Sequence, residues 1–196
     1  MAILAPSLRG LQTLLDICSQ YCREWDICLN AKKTKNIFFG RKCTNLATLT
    51  LDGKNIAWAE ECVYLGVTLK SGKNFGCSVT EQVRKFYRSA NAILRIDGRS
   101  DDLTMLRLLE THSLPILTYG IEMIFVSDRN ERRKMRVAYN SIFRKIFHYR
   151  YRDSVTELQG QLGRLTWEQL TAQRRTSFVQ KAISCPFDSL LRAMCI

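Results

Sequence analysis

The stretch Glu61-Cys62-Val63-Tyr64-Leu65-Gly66-Val67-Thr68-Leu69 decides how the first part of the chain is organised. Its apolar and β-branched residues from Cys62 to Leu69 predict one strand. Upstream of it, Leu46–Leu51 mixes Leu, Thr and Ala as a half-buried strand does, and Asp52-Gly53 is a strong turn signal ahead of Ile56–Trp58. The sequence therefore predicts several short strands, two of which form a hairpin.

A second stretch, Leu29-Asn30-Ala31-Lys32-Lys33-Thr34-Lys35-Asn36-Ile37-Phe38-Phe39-Gly40, connects these strands to an N-terminal helix. Ile37–Phe39 predicts a short strand, and Ala2–Leu4 predicts a still shorter one. Ser7 is suited to cap a helix that extends to about Asp26. An apolar stripe at helical spacing predicts the buried face of that helix: Leu8, Leu11, Leu15, Cys18, Cys22 and Trp25.

The hydrophobic period becomes helical from about Val79 onward, with Val83, Phe86, Ala90 and Leu94 on the same face. A further helix is predicted to start at Asp102 and to be interrupted at Pro115. Three pairs of residues predict helix starts, because a cap and an acid or amide three positions later satisfy each other's backbone donors: Asp128 with Glu131, Ser154 with Glu157, and Thr166 with Gln169. We therefore expect an α+β fold, with an α+β domain over residues 1–76 and an all-helical domain over residues 77–196.

The chain is strongly basic, with 30 Lys and Arg against 18 Asp and Glu in 196 residues and a net charge of +12. A polyanion is the favoured partner, because each neutralised phosphate releases a counterion. The sequence lacks an apolar run of the roughly 20 residues that a membrane span needs and lacks a signal-peptide core. We expect an intracellular protein, nuclear or cytoplasmic, whose eight cysteines are thiols and which has no metal site.

Two clusters hold much of the positive charge. Asp128–Arg152 contains nine basic and two acidic residues, and an apolar stripe through Met135, Ala138, Ile142 and Ile146 directs the cations to the opposite helix face. A solvated helix face is the alternative interpretation of this cluster. The candidate nucleic-acid contacts there are Arg132, Arg133, Arg136, Arg144 and Lys145. The second cluster, Lys32, Lys33, Lys35, Arg41 and Lys42, has no intervening acid.

The two quoted stretches together resemble consecutive motifs of the reverse transcriptases of non-LTR (LINE-type) retrotransposons. Leu29–Gly40 is similar to the fourth conserved palm motif, and Glu61–Leu69 to the primer-grip hairpin with its Tyr-Leu-Gly-Val core. Leu49–Trp58 is similar to the hairpin between these motifs, and Met1–Ser7 to the segment that follows the catalytic Tyr-Ala-Asp-Asp. The resemblance implies a partial palm over residues 1–76, followed by a thumb-like helical region and its extension over residues 77–196.

The resemblance also implies roles for particular residues. Lys33 occupies the position of the lysine that approaches the phosphates of the incoming nucleotide and assists protonation of the departing pyrophosphate, with Lys32 and Lys35 as neighbouring candidates. Tyr64, Leu65 and Gly66 would hold the primer end, where a glycine allows the backbone to approach nucleic acid closely. The implied partner is an RNA/DNA primer-template, without a membrane or a small-molecule substrate.

The carboxylates that hold Mg²⁺ in this family lie in a segment that would precede Met1. Asp101-Asp102 has the composition of such a pair, but it opens an amphipathic helix and is better explained as a cap. Mg²⁺ is therefore expected only for the intact polymerase, with no cofactor in this chain, and the 196 residues alone are not expected to polymerise.

Two alternatives to a reverse-transcriptase fragment remain open. The chain could be a non-catalytic basic helical RNA- or DNA-binding protein, in which the helix after Asp128 makes the contacts. It could also be a degenerate product without a selected role, because the exposed edge of a truncated sheet invites pairing with other chains.

Overall fold

A computed structural model describes residues 1–41, 46–96, 101–124 and 129–184 of the chain, and the fold is of the α+β class. Contacts divide the chain into two units, Met1–Gly76 (unit 1) and Cys77–Ile196 (unit 2). Unit 1 holds one long helix and short strands, whereas helices make up most of the described part of unit 2. Within the described ranges, no helix is long and apolar enough to cross a membrane.

Unit 1 begins with α1 (Leu8–Glu24), whose first turn is capped as predicted. The Ser7 hydroxyl accepts a hydrogen bond of 3.1 Å from the amide of Gly10. The prediction that Trp25 belongs to the buried stripe was wrong, because its side chain is 66% exposed. The helix ends one residue earlier, and the chain reverses at Asp26 with a φ of 52°, so Trp25 lies beyond the surface that α1 buries.

The strands β1 (Lys35–Asn36), β2 (Leu49–Leu51) and β3 (Lys54–Trp58) form a small sheet with β3 in the centre. β3 is parallel to β1 and antiparallel to β2, and the hairpin predicted at Asp52-Gly53 is confirmed. The predicted strand at Ile37–Phe39 was wrong. The pairing lies two residues earlier, and Phe39 makes only an isolated bridge to Gly72.

The predictions of a single strand over Cys62–Leu69 and of a strand at Ala2–Leu4 were also wrong. Ala2–Leu4 has no strand conformation. The segment predicted as a single strand over Cys62–Leu69 instead forms two antiparallel strands, β4 (Glu61–Tyr64) and β5 (Val67–Lys70). They meet in a turn at Leu65-Gly66. The hairpin that the family resemblance implied is therefore present. A further strand, β6 (Gly76–Ser78), follows at the boundary of the units.

The core of unit 1 lies between α1 and the β2–β3 hairpin. Leu15 from the helix packs with Leu49, Leu51 and Ile56 from the strands. The Gln12 side chain anchors this contact because its amide donates to the carbonyl of Thr50 at 3.0 Å and its oxygen accepts from the Thr50 amide at 2.9 Å. The amide and the carbonyl of Thr50 are thereby both hydrogen-bonded, which avoids the cost of leaving them without partners.

The helices of unit 2 are α2 (Thr80–Ile96), α3 (Asp102–His112), α4 (Leu114–Thr118), α5 (Ile121–Ile124), α6 (Arg129–Ile146), α7 (Thr156–Gln161) and α8 (Trp167–Ser184). Their shared core is apolar and aromatic. It includes Phe86, Leu106, Leu109, Leu117, Met135 and Phe143, all at most 2% exposed. The predicted interruption is confirmed, since α3 ends at His112 and Pro115 lies in the first turn of α4.

The predicted helix caps in unit 2 had different outcomes. Thr166 and Gln169 form the reciprocal pair, with amide-to-side-chain hydrogen bonds of 2.9 and 3.3 Å. A helix begins at Thr156, close to the predicted start, and the Ser154 hydroxyl accepts from the Thr156 amide at 3.4 Å. The predicted pairing with Glu157 was wrong, because Val155, which is buried and lacks a capping side chain, takes the N-cap position. Asp128 lies outside the described residues.

Candidate nucleic-acid interface

The tip of the β4–β5 hairpin presents apolar side chains to solvent. Val63 and Leu65 are 70% and 73% exposed, and Tyr64 is 38% exposed. Leu65 and Gly66 both have positive φ values, of 47° and 78°. This is the turn geometry that matches the twist of two antiparallel strands, and it normally selects Asn or Asp followed by Gly. The three predicted primer-grip residues therefore lie together at an exposed edge.

Leu65 is an unusual residue for its position. A left-handed backbone brings the Cβ of an L-residue close to the following carbonyl, and only Gly, Asn and Asp adopt it easily. A leucine here loses stability in the turn and leaves its side chain in water, and neither effect helps folding. Strained backbone that the fold does not need is concentrated at functional sites in proteins.

The lysine-rich loop has a fixed backbone and exposed cations. The side-chain oxygen of Asn30 accepts from the amide of Lys33 at 3.1 Å, and its carbonyl accepts from the Thr34 hydroxyl at 2.9 Å. Asn30 and Thr34 thus cap the loop locally. Lys32, Lys33 and Lys35 are exposed at the start of β1, whereas Lys42 lies outside the described residues.

The apolar stripe of α6 packs as predicted. Met135, Ala138, Ile142 and Ile146 are all buried. Glu131 also points inward, accepting from the Val79 amide at 2.8 Å and pairing with Lys134 at 2.6 Å. This carboxylate caps the start of α2 and is held away from the basic face.

The basic residues of α6 separate into two groups. Arg144 donates from Nε to the carbonyl of Asp153 at 3.0 Å. Lys145 donates to Asn91 at 2.8 Å and lies 5.7 Å from the ring centroid of Tyr87. These two predicted contacts are therefore engaged within unit 2, whereas the arginines of the first two turns line a cleft.

Arg132, Arg133 and Arg136 line a cleft of about 610 Å³ between α6 and α8. Arg129, which the sequence had not singled out, lies on the same wall. Its spacing of three, four and seven residues from the others could have identified it, because these positions share one helix face. Glu168 of α8 pairs with Arg136 at 3.5 Å across the cleft, and no local pattern in the sequence could have placed it there.

A buried tyrosine fixes the start of α8, which forms the wall of the cleft opposite the arginines. Tyr139 donates its hydroxyl proton to the carbonyl of Leu165 at 2.8 Å, just before α8 begins. Burial raises the pKa of Tyr139 to about 12, with a smaller contribution from the Glu110 carboxylate. The neutral phenol therefore ties α6 to the start of α8 over the whole physiological pH range.

Among the described residues, no group of three His, Cys, Asp or Glu side chains is placed to bind a metal ion. Asp101 is a helix cap, as predicted, accepting from the amides of Leu103 and Thr104 at 3.1 and 3.3 Å. The Leu103 amide contributes most to lowering the pKa of this carboxyl. The donor set in these ranges does not fit a Mg²⁺ site.

The sequence is homologous to part of several RNA-directed DNA polymerases of Drosophila mobile elements. It is 25% identical over 175 residues to "Probable RNA-directed DNA polymerase from transposon BS" of Drosophila melanogaster, which covers 87% of this chain and 19% of that protein. It is 23% and 24% identical over 157 residues to "RNA-directed DNA polymerase from mobile element jockey" of Drosophila melanogaster and Drosophila funebris, which covers 76% of this chain and 17% of each relative.

These relatives are reverse transcriptases of non-LTR retrotransposons, and the chain spans less than a fifth of the length of each one. No family model matches the sequence, and none of the solved structures matches it significantly.

Proposed function

We propose that the 196 residues of this chain form the part of a non-LTR reverse transcriptase that holds the primer-template. Unit 1 is the end of the palm with its primer-grip hairpin, and unit 2 is the thumb with its extension. The exposed apolar tip of the β4–β5 hairpin supports this best, because it presents Tyr64, Leu65 and Gly66 at the position of the primer-grip motif. A polymerase needs such a surface to position the primer end, whereas a stable fold does not need it.

The charge of the chain supports the same proposal. Exposed lysines surround the Asn30 turn in unit 1, and exposed arginines line one face of α6 in unit 2. Both sets are available to phosphates, and the hairpin tip adds the apolar and aromatic surface on which a terminal base can stack.

Binding of a labelled primer-template tests the role of the hairpin tip. We expect Tyr64→Ala to weaken binding by about 5- to 150-fold, since one base–aromatic stack contributes on the order of 1–3 kcal/mol. Leu65→Ser should weaken binding less, because leucine offers an apolar contact but no ring. Asp52→Ser is the matched control, because Asp52 occupies the equivalent turn position in the β2–β3 hairpin. Unchanged binding by both tip variants would refute the primer-grip assignment.

For Lys33 we propose the role of an ammonium group that meets the triphosphate of the incoming nucleotide in the intact polymerase. In a full-length enzyme containing this sequence, Lys33→Ala should lower kcat by about 100-fold, the size typical of a lost proton donor. Lys35→Ala should change kcat by less than about 3-fold, because it lies beyond the Asn30 turn and begins a paired strand. Equal losses would refute the assignment to Lys33.

A non-catalytic RNA- or DNA-binding protein is a second candidate function, favoured by the arginine-lined cleft of unit 2. The two functions differ in whether the protein recognises the recessed end of a primer on its template. A primer-grip protein should bind a recessed primer-template more tightly than a blunt duplex of equal length, whereas a general binder should bind both equally. Primer extension by the 196 residues with Mg²⁺ should stay at background under either proposal.

A further inference from the structure

Four arginines form a continuous stripe on the first two turns of α6. Arg129, Arg132, Arg133 and Arg136 follow the spacing that places side chains on one helix face. Like charges at this spacing repel one another, and cations near a helix N-terminus oppose the helix dipole. The stripe therefore weakens the helix that carries it, which argues against a purely structural role.

The stripe is one wall of a cleft whose described lining is deficient in negative charge. Of the described residues that line it, Glu168 is the single acid, and it faces Arg136. Glu131 lies in the same turns but is turned inward to Val79 and Lys134. Arg129, Arg132 and Arg133 make no ion pair within the described part of the chain, so their charge remains available to an anion.

The opposed walls of the cleft favour one kind of anion, since Glu168 of α8 lies 3.5 Å from Arg136 of α6. Its volume of about 610 Å³ lies in the range of about 300–1,000 Å³ typical of sites for small molecules. An α-helix reads duplex DNA by entering a groove about 12 Å wide, but here the arginine face of α6 is opposed by α8. A duplex can touch only the rim of such a cleft, whereas one strand can enter it.

We propose that this arginine cleft binds the backbone of a single nucleic-acid strand through two or three consecutive phosphates. The seven residue steps from Arg129 to Arg136 span about 10 Å along the helix, and planar guanidinium groups bind phosphate oxygens in pairs. Trp167 on the floor is 5% exposed and packs on Tyr139, so it offers no free face for a base. Recognition is thus independent of the nucleotide sequence. This inference rests on the proposed function and adds to it a binding site for a single strand that lies outside the primer-template duplex.

Glu168 competes with the strand for Arg136. Because the pair is exposed and 3.5 Å long, it is weak and can be replaced by a phosphate. Glu168→Gln should therefore raise single-strand affinity about 3- to 10-fold, without altering any residue that contacts the strand.

The test measures binding of a labelled 12-nucleotide single strand, its duplex and a recessed primer-template by fluorescence anisotropy over a series of salt concentrations. Arg129→Ala, Arg132→Ala and Arg133→Ala are combined in one variant. The matched control combines Lys85→Ala, Arg88→Ala and Arg95→Ala, which removes the same charge from exposed positions of α2. Thermal unfolding serves as the check on folding, and the cleft variant should melt at the same or a higher temperature, because like-charge repulsion is relieved.

For the cleft variant we expect at least a 10-fold loss of single-strand affinity at 0.1 M salt. The slope of log K against log salt should become shallower by about 2, as expected when three phosphate contacts are lost. The control should lose less than about 3-fold. Equal losses in both variants, or an unchanged slope, would overturn the cleft as a single-strand site while primer-template binding persists. If the unaltered chain bound neither single strands nor primer-template, the proposed function itself would fall.

Discussion

The two β-hairpins of unit 1 have the same turn geometry but opposite surroundings. In the β2–β3 hairpin, Asp52 and Gly53 have φ values of 51° and 73°, and in the β4–β5 hairpin Leu65 and Gly66 have values of 47° and 78°. The first hairpin buries Leu49, Leu51 and Ile56 against α1, whereas no residue of β4 or β5 is fully buried. One hairpin therefore belongs to the core and the other presents a surface.

The second hairpin is held at its base by contacts with the segment that precedes β2. The hydroxyl of Ser71 donates to the carbonyl of Phe38 at 2.7 Å, and the amide of Gly40 donates to the carbonyl of Gly72 at 2.9 Å. The rings of Phe39 and Phe75 lie 5.3 Å apart beside these bonds. These contacts fix the base of the hairpin, from which the exposed apolar tip projects.

The largest expected difference between the hairpins is in the stability lost when a side chain is truncated. Ile56→Ala removes a side chain that is 2% exposed and should lower the free energy of unfolding by about 3 kcal/mol. Val63→Ala, on the exposed tip, should change it by less than about 0.5 kcal/mol. Urea unfolding followed by far-UV circular dichroism measures both. Comparable losses would show that the second hairpin is also part of a core.

Opposite kinds of substitution at the two turns should change stability with opposite sign. Asp52→Leu places a bulky side chain in a left-handed position and should destabilise the chain by about 1 kcal/mol, and Leu65→Asn should stabilise it by a similar amount. The same Leu65→Asn substitution should weaken primer-template binding, because it removes the exposed apolar group. Urea unfolding and fluorescence anisotropy on the same samples separate the two effects. A loss of stability for Leu65→Asn would mean that Leu65 supports the fold.

Much of the local structure could be predicted from the sequence because its signals are local. Ser7 begins α1, Asp52-Gly53 makes the first turn, and Thr166 with Gln169 begins α8, and each depends on a few neighbouring residues. The buried stripe of α6 followed from its period. The palm and thumb assignments, the lysine and the primer-grip residues stay predictions, because their roles depend on groups outside the chain.

The errors have physical causes as well. Leu65-Gly66 was missed from the residue pattern because leucine rarely adopts a positive φ, so the apolar run around it indicated a single strand. Trp25 was misplaced because helical spacing gives the direction of a side chain but not the length of the surface it meets. Glu168 reaches the arginine cleft from another helix, which only tertiary packing could show.

The smallest expected difference concerns the ion pairs beside the hairpins. Glu61 and Lys70 face each other at the base of the second hairpin, 3.4 Å apart and both about half exposed. Glu61→Gln should therefore cost about 0.5 kcal/mol or less, and the cost should vanish in 1 M salt, where surface charges are screened. Glu60→Gln is the control, since the Glu60 side chain is also exposed but stands outside the paired strands. A salt-independent loss above about 1 kcal/mol would show that this pair, and not the turn and the contacts near Ser71, fixes the hairpin that presents Tyr64 and Leu65.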